Sequence, residues 1–293
     1  MNKISKEPPA IRNESTVSKK YEITNESSPV FSTIKRIRSL QDFGKVKKGE
    51  LGGFIESEDN LSHEGDCWVS GEAMVFGNAS ASGDAKVSGN ALVSGAAKVS
   101  GNAKVSGTAL VSGHPNVSGN AEVSGNAKVL GNAMVYENAQ VYGNASVSGN
   151  AGVYREASVS ENAMVSEDAW VSENAMVSED ARVYGKARVY GKAVVSGNAV
   201  VSGDARVYGD AMVYENAQVS EDARVYGKAW VSGNAVVSGN AVVSGNAGVF
   251  KNAWIYGEAR VTGDGLMNET LTSTHGLSEI TIDGIVYSLI KKQ

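Results

Sequence analysis

From Val69 to Val261 an aliphatic residue recurs at every sixth position without a slip in phase. The span holds 33 such positions, 31 of them Val, with Ala81 and Ile255 as the exceptions. Four residues after each Val stands a second column, Ala73, Ala79, Ala85 and onward to Ala259, broken only at Pro115. A short period held this long defines an architecture, because each unit is too small to bury its own apolar side and must stack on its neighbours.

One unit, Ala121-Glu122-Val123-Ser124-Gly125-Asn126, shows how the period maps onto structure. Ala, variable, Val, polar is a two-residue alternation, so Ala and Val share one face of a very short strand. Gly-Asn is a corner, and both residues accept the left-handed backbone that a corner requires. Of the 33 corners, nine lack Gly at the first position, and eight of those nine put Asn or Asp second; Arg155-Glu156 is the exception. The expectation is that nearly every corner keeps one residue at ease with a positive φ, supplied by Asn or Asp where Gly is missing. Strands this short with two-residue corners cannot reverse direction as hairpins do. They fit a coil of three strands and three corners, 18 residues per turn, each strand paired in parallel with the one a turn later. Thirty-three rungs then make 11 coils, a rod on the order of 50 Å long at about 4.8 Å per strand.

An aliphatic residue followed four positions later by a small one resembles the hexapeptide repeat, whose members form single-stranded left-handed parallel β-helices. The left hand is what the resemblance implies; general crossover rules favour the right. Ahead of the repeat, Asp42-Phe43, Val46-Lys47, Gly49, Gly52-Gly53, Leu61-Ser62 and Gly65-Asp66-Cys67-Trp68 resemble the N-terminal region of YdcK-like hexapeptide-repeat proteins of enterobacteria and their prophages. With the repeat, that resemblance covers roughly residues 21–264 and implies an all-β solenoid of bacterial or prophage origin.

The rest of the chain reads as ends for this rod. Residues 1–20 are polar and aperiodic and are expected to form a disordered tail. Residues 21–68 are expected to be an N-terminal cap, with a hairpin of Tyr21–Thr24 and Phe31–Arg38 around Ser27-Ser28-Pro29, followed by an irregular coil. The β-helix is placed at 69–264 and a C-terminal cap at 265–293, with a hairpin around Asp283-Gly284. Caps are required because a bare terminal coil would present unpaired strand edges. The single Cys and the net charge of −5 exclude an intrachain disulfide and argue against a dedicated nucleic-acid binder. Cys67 falls in the inward phase and is expected in the core. Neither a membrane-spanning apolar run nor a signal-peptide core is present, so a cytoplasmic protein is expected.

Sorting outward residues by 18 gives three faces. One stacks Arg188, Arg206 and Arg224 beside Tyr190, Tyr208 and Tyr226, a candidate surface for an anionic ligand or partner. The arginines are expected to be offset by cation–π contact with the tyrosines and by Asp204 and Asp222. A second face carries Met74, Phe76, Leu92, Leu110 and Leu130, a candidate self-association surface. Glu161, Glu167, Asp168, Glu173 and Glu179 form an acidic belt of corners, read as solubilising. Many hexapeptide-repeat proteins are acyltransferases, and those of the acetyltransferase type use a His base and an extruded loop. This chain has His63, His114 and His275, none at a recognisable spacing from a carboxylate, and no loop interrupts the rungs. No catalytic residue, metal ligand or cofactor is assigned. The reading is a non-catalytic scaffold or binding protein with a protein partner or a second copy of itself, an anionic ligand on the Arg/Tyr face being the further candidate; no membrane role is expected and the charge argues against nucleic acid. The alternative is an acyltransferase-like enzyme.

Overall fold

In the computed structural model, residues 18–269 are described, together with strand backbone at Leu271–Thr272, Glu279–Ile282 and Ile285–Ser288. His275 and the turn at Asp283-Gly284 lie outside the described residues. The chain is an all-β parallel solenoid of about 12 turns. Two-residue strands such as Trp68–Val69, Lys86–Val87 and Lys104–Val105 stack in register at intervals of 18. Three parallel sheets run the length of the rod; one has 12 strands and another 11, while the third is extended at its base by the cap. The described rungs continue past the expected end, since Leu266–Met267 pairs in parallel with Gly248–Val249.

The inward columns are buried as the alternation requires: the Val residues, Ile255 and Ala81 have no solvent exposure, and the Ala column is at most 1% exposed. Pro115 keeps its inward place; its carbonyl accepts the N–H of Lys98 at 2.9 Å. An inter-coil ladder of backbone hydrogen bonds runs along the rod, with Trp170 N–H donating to the Ala187 carbonyl and Ser172 N–H to that of Val189, each at 2.9 Å. Parallel pairing usually demands a long crossover, which here is the remainder of the same turn.

The corners differ from the sequence expectation in a way that has a clear cause. The left-handed residue is the first of each pair, whatever its identity. Nine described non-glycine residues have positive φ, and they are the nine that replace Gly: Glu137, Arg155, Glu161, Glu167, Glu173, Glu179, Glu215, Glu221 and Lys251, all between 57° and 63°. Asn at the second position therefore does not supply the left-handed conformation. Its side chain builds an amide ladder instead. Asn126 Nδ2 donates to Asn144 Oδ1 at 2.9 Å, Asn144 to Asn162 at 3.0 Å, and Asn162 to Asp180 at 3.1 Å. Two of the left-handed glutamates cap the backbone of the next coil: Glu167 Oε2 accepts the N–H of Gly185, and Glu215 Oε2 that of Gly233.

The N-terminal cap is a three-stranded meander. β1 (Tyr21–Ser27) pairs antiparallel with β2 (Lys35–Ser39), and β2 pairs antiparallel with β3 (Leu51–Ile55). The return strand begins at Lys35, later than the Phe31 expected. β3 then pairs in parallel with Met74–Val75, so the cap and the rod share one sheet. Gly52 and Gly53 are needed at this junction, because a Cβ on either would lie 2.5–2.8 Å from Trp68, Val69 and the Ala73 carbonyl. Asn60, fully buried, ties the cap down: its Oδ1 accepts two backbone N–H groups and its Nδ2 reaches the carbonyls of Gly77 and Ala79. Lys20, counted with the tail in the sequence reading, is 1% exposed, and its ammonium donates to the carbonyls of Gly65 and Cys67. Cys67 is fully buried in the core.

Candidate functional site: an interrupted Tyr/Arg face

The candidate face is built by a strand column in which Trp170 pairs with Arg188, Arg188 with Arg206, and Arg206 with Arg224. On the other side of each Val the aromatic column runs Tyr136, Tyr154, Ser172, Tyr190, Tyr208, Tyr226. The tyrosines stack on one another. Tyr190 and Tyr208 are parallel with centroids 4.9 Å apart, Tyr208 and Tyr226 lie at 4.9 Å and 8°, and Tyr136 and Tyr154 at 5.0 Å and 2°. The strand spacing and the distance for offset ring stacking nearly coincide. The expected cation–π offset is thus corrected: the rings spend their faces on each other, and the cation–π pairs among the described residues are Lys20–Phe43, Arg36–Phe54 and Lys251–Phe250. The expected help from Asp204 and Asp222 is corrected too. Those residues sit at corners, and among the described residues no carboxylate lies within ion-pair distance of Arg188, Arg206 or Arg224. The face carries three exposed, uncompensated guanidinium groups. Burial within the stack, then the neighbouring Tyr190, pushes the Tyr208 hydroxyl pKa up; burial, then Tyr154, does the same for Tyr136.

Ser172 interrupts the aromatic column. Around it Tyr154, Arg155, Trp170, Glu173, Arg188, Tyr190 and Arg206 line a half-open recess of about 340 Å³. Trp170 stands edge-on to Tyr154, at 5.5 Å and 88°, over Gly152. Arg155 closes the corner by pairing with Glu173 at 2.8 Å. This recess was not legible in the sequence, although the one Ser between Tyr136 and Tyr226 in this column is its signature.

The candidate self-association face divides in two. Met74 is 7% exposed and packs with Ile34 and Phe54, while Phe76 rests against the same cluster. Met74 is therefore covered by the cap and not presented to a partner; the cap strands lack the six-residue period, so their cover could not be read. Leu92 and Leu110 pair on adjacent strands of one sheet, and Leu130, half-buried like them, lies on the next strand across the Val column, opposite Ser112.

Of the described histidines, His114 is exposed at its corner. His63 does meet a carboxylate, with Nε2 3.7 Å from Glu58 Oε2. Sequence spacing missed this pair because it is assembled by the irregular first coil. The His63 Nδ1 accepts the N–H of Lys20 at 3.2 Å, and its ring stacks on Tyr21 at 4.3 Å. The proton then belongs on Nε2, so the ring offers no free lone pair to a substrate and serves the cap. The Glu58 carboxyl is held below its ordinary range, chiefly by the hydrogen bond from Lys19.

The architecture defines a parallel β-solenoid repeat protein. Comparison with protein families assigns the repeat: the YdcK β-solenoid repeat matches residues 139–155, 181–197, 187–203, 205–221, 217–233 and 229–245. The chain therefore carries repeats of the YdcK β-solenoid type, matched over parts of residues 139–245. No curated protein matches it. Among solved structures it is similar to a UDP-N-acetylglucosamine acyltransferase of Francisella novicida, at 15% identity and a TM-score of 0.31, over 57% of this chain and 65% of that one. Among the described residues no helix is long and apolar enough to cross a membrane.

Proposed function

We propose that this protein is a non-catalytic bacterial or prophage scaffold, working in the cytoplasm, that presents the Arg188–Arg206–Arg224 column and its tyrosine stack to an anionic partner. The observation that supports this most is the uncompensated arginine column on a rigid face. Three like charges about 4.8 Å apart repel by roughly 1 kcal/mol per neighbouring pair even in water, and an anionic partner turns that cost into binding. The rod supplies rigidity: its rungs keep one register over the whole repeat, which suits a repetitive surface. The test is retention on immobilised polyphosphate by the wild type and by Arg188→Glu/Arg206→Glu/Arg224→Glu. Retention should be lost in the variant, and equal retention refutes the reading.

Self-association is part of the proposal, through Leu92, Leu110 and Leu130, and light scattering checks it: a strict monomer at high concentration removes it. The alternative, an acyltransferase-like enzyme, is favoured only by the His63–Glu58 pair. His63→Asn would abolish acetyl transfer from acetyl-coenzyme A to an amine or hydroxyl acceptor if that pair were catalytic.

A further inference from the structure

The recess at Ser172 has the dimensions of one missing ring. Tyr154 below it and Tyr190 above it are two rungs apart, about 9.6 Å at the usual strand spacing. Elsewhere in this column the same interval is filled by a third stacked ring, as Tyr208 fills the space between Tyr190 and Tyr226. A flat ring entering at position 172 would meet Tyr154 and Tyr190 at the 4.9–5.0 Å that the column already uses. Trp170 supplies a side wall.

Two further observations say what such a ring should carry. Arg188 and Arg206 line the same recess and have no carboxylate partner among the described residues. A phosphate is the group that a pair of guanidinium forks binds best. Ser172 is 6% exposed and lines the recess, where its hydroxyl can meet a polar edge of the ligand. The volume, about 340 Å³, lies at the small end of ligand pockets and so admits one ring system with its attached group.

We propose that the recess binds a nucleoside phosphate, with the base stacked in the Ser172 gap between Tyr154 and Tyr190 and the phosphate held by Arg188 and Arg206. Stacking between aromatic side chains contributes on the order of a tenfold gain or more per base and tolerates any base. The site therefore selects for ring plus phosphate and not for sequence. This inference rests on the Arg/Tyr face being the binding surface, and it adds a discrete ligand to it.

The test is isothermal titration of the full chain with AMP and UMP, with adenosine and inorganic phosphate as half-ligands and a short single-stranded oligonucleotide as the other source of the same chemistry. AMP should bind at least tenfold more tightly than either half-ligand. Ser172→Tyr completes the stack with the residue its neighbours carry, so the fold is retained, and it should lower AMP affinity at least tenfold. Arg188→Gln should bring AMP close to adenosine. Competition between oligonucleotide and AMP identifies a strand as the source; oligonucleotide that fails to compete leaves the free nucleotide. AMP binding that is undiminished in Ser172→Tyr, or no tighter than phosphate, overturns the proposal. Because Ser172→Tyr keeps all three arginines, its retention on polyphosphate is a separate readout. Retention that persists while AMP fails to bind the wild type removes the slot and leaves the scaffold reading standing.

Discussion

Asn120 donates its side-chain amide to Asn138 across one coil at 2.8 Å, and Asn138 passes the bond on to Glu156 at 2.6 Å. This contact assigns the two corner residues different tasks. The first position turns the chain in the left-handed region; the second ties adjacent coils together.

Separating the roles predicts opposite outcomes at neighbouring positions. Glu161→Gly relieves a left-handed non-glycine residue with φ of 57° and should stabilise by about 0.5–1 kcal/mol, the steric cost of about 1–2 less the entropy that Gly loses. Asn162→Gly breaks the ladder from Asn144 and to Asp180 and should destabilise by about 1 kcal/mol. Urea denaturation midpoints for the two variants should therefore move in opposite directions. If corner Asn were instead supplying the turn, Glu161→Gly would lower its midpoint, because Gly would then relieve no strain and only add chain entropy to the unfolded state.

The core should be unforgiving all along the rod. Val189→Ala removes buried methyl groups from a column with no exposure and should cost about 2 kcal/mol. Arg188→Ala, one residue away and exposed, should cost within about 0.5 kcal/mol. Equal losses measured by denaturation would place the wrong residue inside.

The cap should show a base-sensitive phase. Tyr21 is fully buried and donates its hydroxyl to the Leu61 carbonyl at 2.6 Å. Burial, then the negative charge of Glu58, raises its pKa well above the ordinary tyrosine value. A folded pKa above the unfolded one stabilises fully below the unfolded value, about pH 10, and that stability is lost as pH rises beyond it. Trp68 lies 6.4 Å from Tyr21, so its fluorescence reports the cap. The wild type should lose cap stability above pH 10. Tyr21→Phe should give up about 1 kcal/mol at neutral pH and show a smaller further loss in base. An unchanged alkaline profile in Tyr21→Phe would show that this hydroxyl does not govern it.

Removing the cap should expose the rod's base. β3 contributes the strand paired with Met74–Val75, and Ile34 and Phe54 cover Met74. A chain lacking residues 1–56 should associate end to end, because a bare parallel edge is a template for another strand. Light scattering should show open-ended growth with concentration, beyond any closed oligomer of the full chain; a truncated rod that stays at the full chain's size would contradict the capping role.

What could be read in advance follows the period. Val69, Val75 and their successors announce the interior directly, and arithmetic in steps of 18 places Arg188 under Arg206 before any coordinates exist. Features that depend on side chains crossing between coils could not be read that way. Tyr190 stacks on Tyr208 and not on an arginine, because ring spacing matches strand spacing, a coincidence of lengths that pattern does not carry. The Ser172 gap is legible as a substitution but not as a recess, since that requires knowing that Trp170 leans over Gly152. Met74 was misplaced on an open face because Ile34 and Phe54, which cover it, come from strands without the period. The His63–Glu58 pair escaped for the same reason.

The most direct test of the account is the distance between two outward residues in one column. Lys98 and Arg206 are exposed, lie on the same sheet and are six coils apart. Cysteines at these positions in a Cys67→Ala background, carrying spin labels, should give a narrow pulsed electron–electron distance near 29 Å, six strand spacings of about 4.8 Å. A broad distribution, or one centred far from that value, would mean that the 18-residue coil does not repeat along the rod, and the arginine and tyrosine columns would not exist.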